Sequence, residues 1–169
     1  MDSIFHDSDL EMAVLSGLSK GNLTARQYSP KLSVVDFTNS HNQKYYLAIQ
    51  YLIEGNLKVD KISILNRLKT QGWTRSRVWA IADKVSSSNH LKTHIDQLRS
   101  LTVRRSLRDM TSEISNMITD EDITNTRVLS YISDITQDLM RIGSETNRTL
   151  DQIADDIKER VQQIQAGNW

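Results

Sequence analysis

Apolar residues recur at helical spacing almost from the start of the chain. Leu10, Ala13, Val14 and Leu18 share one helical face, and Ser8 with Glu11 has the spacing of a capping box, so a first short helix is expected. Gly21 to Val35 is weakly periodic and holds Pro30, which predicts a connector with one irregular helical turn. Tyr45, Ala48, Ile49 and Leu52 mark a second helix closed by Gly55. Asp60 suits the N-cap of the next, with Val59 and Ile64 placed as a hydrophobic staple and Leu65 and Leu68 continuing the face up to Gly72. The same device repeats with Thr74 as cap, Trp73 and Val78 as staple, and Ile81, Ala82 and Val85 as the buried side. Nothing alternates with period two for long enough to predict a sheet.

The second half changes character. Between Asn89 and Ile118 there is neither glycine nor proline, and Val103, Leu107, Met110, Ile114 and Met117 recur in heptad steps. A polar stretch, Thr119-Asp120-Glu121-Asp122, interrupts the pattern before Val128, Ile132, Ile135, Leu139 and Ile142 resume it. Two such helices joined by a short connection run antiparallel, and the expectation is a hairpin whose stripes zip together. At about 1.5 Å per residue the first arm would reach on the order of 45 Å and protrude from the head. Gly143 ends the pattern, and the polar Ser144 to Arg148 suits a tether. Beyond it, Leu150, Ile153, Ile157, Val161 and Ile164 form an apolar stripe on a charged helix, with Thr149 and Gln152 at capping-box spacing. A stripe behind a tether calls for a docking partner outside the chain's own core.

The fold class expected is therefore all-α: a helical head over residues 1–88, a long antiparallel hairpin over 89–143, a tether at 144–148 and a C-terminal linker helix at 149–169. Composition agrees with this. Hydrophobic residues are 38% and charged residues 25%, a globular balance, and a single proline with six glycines lets long helices run. Cysteine is absent, which removes disulfides, thiolate catalysis and cysteine-based zinc sites and makes a reducing cytoplasm the easier home. The formal net charge is zero, so any basic surface has to be local. No apolar stretch is long enough to cross a bilayer, and the first ten residues do not form a signal peptide, so no membrane partner is expected.

With this order of elements, the sequence resembles the amino-terminal region of the DnaB-type hexameric replicative helicases. Leu10-Glu11-Met12-Ala13-Val14-Leu15-Ser16-Gly17-Leu18 is similar to the family's first helix. Asp36-Phe37 with His41 and the apolar run to Ile49 resembles its Asp-Phe-Tyr and His pattern, with Thr38 where the family has tyrosine. Leu52-Ile53-Glu54-Gly55-Asn56-Leu57-Lys58-Val59-Asp60, followed by Ile64-Leu65, looks like its Gly-x-x-Val-Asp turn. Ser87-Ser88-Asn89, leading into Ile95 and Leu98-Arg99, resembles its entry to the hairpin. A glycine-pair segment before the fourth helix is shortened to Trp73-Thr74-Arg75-Ser76.

The resemblance implies a non-catalytic domain that assembles with copies of itself into dimers and a ring-shaped collar. It also implies docking of primase or a helicase loader on the hairpin region, and a linker helix that joins a neighbouring subunit's motor domain. Such helicases continue into a motor with a phosphate-binding loop; no Gly-x-x-x-x-Gly-Lys-Ser/Thr occurs here, so ATP and magnesium would enter only through a motor domain absent from this sequence. A fragment of a helicase is the leading expectation. The alternative is a stand-alone phage or plasmid factor that loads or inhibits a host helicase.

Other chemistry finds less support. His90 and His94 have i, i+4 spacing, yet two ligands without a third rarely hold zinc. His41 reads as a helix-start residue, and Asp120, Glu121 and Asp122 read as a solvated turn. No serine or threonine has an evident histidine partner. Arg99, Arg104, Arg105 and Arg108 form a local basic cluster that could touch single-stranded DNA, but it lacks interleaved aromatics and is diluted by Asp96 and Asp109, so DNA contact is not expected to dominate.

Overall fold

The computed structural model describes residues 5–84, 90–120 and 122–143, the last three by their backbone alone. Among these, seven α-helices and no strand occur: α1 (Ser8–Leu18), α2 (Asn22–Tyr28), α3 (Ser40–Glu54), α4 (Lys61–Leu68), α5 (Arg75–Ala82), α6 (Leu91–Thr119) and α7 (Asn125–Gly143). The all-α expectation holds. The tether, the linker helix with Leu150, Ile153, Ile157, Val161 and Ile164, and the side chains of Val85 and Ile142 lie outside the described residues.

The start of α1 differs from its sequence reading. Asp7, not Ser8, caps the helix by accepting the Leu10 N–H at 2.8 Å. Glu11 is therefore free of capping duty and turns inward, where it is fully buried. The connector also holds more structure than expected: α2 occupies seven residues, followed by 3₁₀ turns at Ser29–Lys31 and Val34–Asp36. Periodicity could not reveal α2 because it buries only Ala25 and leaves Leu23 86% exposed.

Other ends follow their local chemistry. Asp60 caps α4 through the N–H groups of Ile62 and Ser63, and the paired Val59 and Ile64 are both buried. The hydrogen bond from the Ser63 backbone holds the Asp60 carboxyl below the usual carboxylate range. At the end of α3 the left-handed residue is Asn56 (φ 54°) and not Gly55, with Leu57 N–H donating to Leu52 C=O at 2.8 Å and Asn56 N–H to Ile53 C=O at 3.1 Å. These are the two bonds of a Schellman motif. Gly72 does carry a positive φ of 78°, and the buried Trp73 follows it.

The chain forms two compact units, Met1–Thr102 and Val103–Trp169. The first, called the head below, has its core in Val14, Leu15, Leu18, Tyr45, Tyr46, Ile49, Ile64 and Leu68, closed by Leu91, Ile95 and Leu98 of α6. The head thus reaches about fourteen residues beyond the 88/89 boundary read from the sequence, because the first turns of α6 bury an apolar stripe of their own. Gly17 admits this closure: a Cβ there would stand 2.6 Å from Cδ1 of Leu91. Ser16 Oγ lies between the carbonyls of Ala82 (2.9 Å) and Lys84 (2.6 Å), tying α1 to the end of α5. Burial pushes the Tyr45 hydroxyl up to about 12, against a hydrogen bond with Ser19 that lowers it, while the charge of Asp83 raises it further.

Candidate interaction surfaces

In the second unit, α6 from Val103 onward and α7 carry the heptad residues. Thr119 Oγ1 donates back to Asn116 C=O at 2.8 Å at the end of α6. Asp120 then accepts the N–H of Asp122 on its carboxylate at 3.0 Å and the N–H of Ile123 on its carbonyl. Both described aspartates are exposed. The two helices meet beside this turn, where Glu113 and Met117 of α6 and Arg127, Ser130, Tyr131 and Asp134 of α7 border a shallow cavity of about 390 Å³.

Burial along the heptad positions is uneven. Val103, Met110 and Leu139 are buried, whereas Leu107, Ile114, Met117, Val128, Ile132 and Ile135 stay half-buried. Ile118, Leu129 and Met140 add apolar surface at 39%, 41% and 37% exposure. A pair of helices has only one neighbour per face, so its a and d side chains keep a water-facing flank unless something else packs there.

The arginines do not form one open basic face. Arg105 is buried and Arg99 half-buried, and neither is without a partner. Arg108 leans on its neighbour, with Nε and Nη2 each 3.1 Å from Asp109 Oδ1. Arg104 is exposed. The ring centres of His90 and His94 are 6.3 Å apart, and the described residues hold no group of three or more side chains suited to a metal. His41 starts α3 as read from sequence, packing its ring edge-on to Trp73 at 5.8 Å.

Two features of the head escaped the sequence reading. One is a buried polar centre. Glu11 accepts Thr38 N–H at 2.8 Å and Thr38 Oγ1–H at 2.6 Å on one oxygen, and Asn42 Nδ2–H at 2.7 Å on the other. Asp36 accepts Ser33 N–H and, at 2.7 Å, the hydroxyl of Thr102. Together they fix the segment between the 3₁₀ turns and α3 to α1 and α6. Thr38, which departs from the family's tyrosine, supplies two of these donors.

The other is a set of cations lying over aromatic rings. Arg67 stands 3.8 Å from the ring centre of Tyr51, Arg75 4.8 Å from that of Trp79, and Arg77 5.5 Å from that of Trp73, with Lys61 also 5.0 Å from Trp79. The signal was present in the sequence, since Lys61 to Ala82 carries five basic residues and no acidic one.

Comparison with known proteins agrees with the architecture. The sequence model described as "DnaB-like helicase N terminal domain" matches residues 4–100. Among solved structures, the N-terminal domain of DnaB helicase from Mycobacterium tuberculosis superposes with a TM-score of 0.68 at 16% identity, over 76% of this chain and 97% of that one. No curated protein matches. No helix among the described residues is long and apolar enough to cross a membrane. A family match over more than half of the chain, on a head of five packed helices closed by the start of α6, assigns it: the chain belongs to the DnaB-like helicase N-terminal domain family.

Proposed function

We propose that this chain serves a replicative helicase as a non-catalytic assembly and docking domain. In this reading the hairpin associates with a second copy toward a collar-like ring and offers its outer surface to primase or a loader. The linker helix, through Leu150, Ile153, Ile157, Val161 and Ile164, joins the motor domain of a neighbouring subunit. ATP and magnesium belong to that motor, and the site of action is the cytoplasm. One observation carries the proposal: the hairpin seam stays half-buried at six described positions and is flanked by exposed Leu129 and Met140. Apolar surface left open along two helices is what a partner helix covers.

The test is light scattering coupled to size exclusion, with and without primase, on the 169-residue chain and on L129E/M140E. These positions are exposed, so the substitutions leave the fold in place. Self-association by the unaltered chain and its loss in the variant are expected. A monomer at all concentrations that also ignores primase would refute the proposal. For the linker helix, Ile157→Asp with Val161→Asp in the complete helicase should impair ring assembly, and unchanged rings would remove that role.

A further inference from the structure

The α4–α5 segment of the head carries cations without acidic neighbours in sequence. From Lys61 to Ala82 the chain has Lys61, Arg67, Lys69, Arg75 and Arg77 and no aspartate or glutamate, although the protein as a whole is neutral. Lys61 is paired with Asp83 at 2.9 Å. No ion pair to a carboxylate is formed by Arg67, Lys69, Arg75 or Arg77 among the described residues, and all four are exposed.

Instead of carboxylates, the three guanidiniums have aromatic rings beneath them: Tyr51, which is 47% exposed, the half-buried Trp79 and the buried Trp73. A guanidinium held over a ring is flat, positively charged and already ordered, so it can stack against a base and bind a phosphate with little further loss of freedom. Beside Arg67, Lys44, Leu47, Ala48, Leu68 and Gln71 complete a groove of about 180 Å³ between α3 and α4. Its apolar floor and cationic rim suit a planar ring attached to an anion.

We infer that the α4–α5 segment binds single-stranded nucleic acid, with bases stacking on the Arg67/Tyr51 and Arg75/Trp79 platforms and phosphates held by Arg67, Lys69, Arg75 and Arg77 on the two flanks of α5 and the end of α4. A strand alternates planar groups with single negative charges, which matches cations interleaved with aromatic rings. An acidic protein surface would satisfy the cations but bring no planar groups to the rings. The hairpin arginines are a poorer platform, since Arg105 is buried and Arg108 is paired with Asp109.

The experiment measures fluorescence anisotropy of labelled oligo(dT) with the 169-residue chain across a salt series. Binding at low salt is expected, and R75E/R77E should weaken it at least about ten-fold. The same variant should reduce the slope of log affinity against log salt by about 1.4, because two phosphates are no longer neutralised. R75K/R77K keeps the charge and loses the planar groups; an intermediate loss is expected. Trp79→Ala should weaken oligo(dT) but not an abasic strand of equal length, and circular dichroism confirms that each variant stays helical. R104E, which alters an exposed charge on α6, should leave affinity within about two-fold. No binding at low salt, or equal damage from R104E and R75E/R77E, would overturn the inference. So would poly-glutamate competing as well as the oligonucleotide, an outcome that would assign the segment to an acidic protein.

Discussion

Glu11→Ala should cost far more than its place on a small helix suggests. The carboxylate is fully buried, and its removal strands four donors: Thr38 N–H, Thr38 Oγ1–H, Asn42 Nδ2–H and, at 3.4 Å, Asn39 N–H. A stranded buried donor costs about 1–3 kcal/mol. Thr38 and Asn42 can reorient partly, so the expected loss is about 3–5 kcal/mol, below the full sum over the stranded donors. Glu11→Gln separates the acceptor role from the charge. Its carbonyl keeps the two Thr38 donors, and Asn42 can turn its amide to present oxygen to the new NH₂, so charge assistance and the long bond from Asn39 N–H are lost, about 1–2 kcal/mol. Urea titration followed by far-ultraviolet circular dichroism measures both. The reasoning fails if Glu11→Ala lies within about 1 kcal/mol of the unaltered protein, or if Gln and Ala cost the same, since either result would mean that the donors find water.

Two further outcomes follow from the same structure. Leu139→Ala removes a side chain that is only 5% exposed and should destabilise by about 2–4 kcal/mol in denaturant unfolding; a change indistinguishable from zero would place Leu139 on the surface. Tyr45 loses its proton less readily when folded, at about 12 against an ordinary 10.0, so the stability it contributes is complete below pH 10 and is lost as pH rises toward 12, by up to about 1.4 kcal/mol per pH unit. Tyr45→Phe should cost about 1 kcal/mol at neutral pH through the missing bond to Ser19 and show a shallower alkaline decline, Tyr46, also raised by burial, supplying what remains. Parallel thermal melting profiles between pH 9.5 and 11.5 would contradict this, the window being set by the ordinary and folded values.

Elements whose stability is written in local spacing were legible without coordinates. The heptad steps marked α6 and α7, and the stop at Thr119 and the Asp60 cap lie where residue chemistry puts them. What escaped depends on residues distant in sequence. Ser8 and Glu11 have capping-box spacing, but the partners that claim Glu11 lie 27 and 31 residues away, and no local window contains them. The extent of the head was misjudged because Leu91, Ile95 and Leu98 sit on the same unbroken helix as the hairpin seam, and periodicity does not say which neighbour a stripe faces. The basic run of α4 and α5 was readable as charge, and Arg75 with Trp79 and Arg77 with Trp73 stand four residues apart; the pairing of Arg67 with Tyr51 needed α3 and α4 to be brought together.

The notch at Gly17 bears on how this protein can be dissected. Because Leu91 is received there and Ile95 and Leu98 continue the seal, scissors applied before Leu91 would leave the hydrophobic interior open to water along one side. The smallest piece able to keep its interior dry ends after Thr102, already inside the rod that also supplies the hairpin. A truncation meant to separate the two units therefore has to cut within α6, after Thr102, and not in the segment before it.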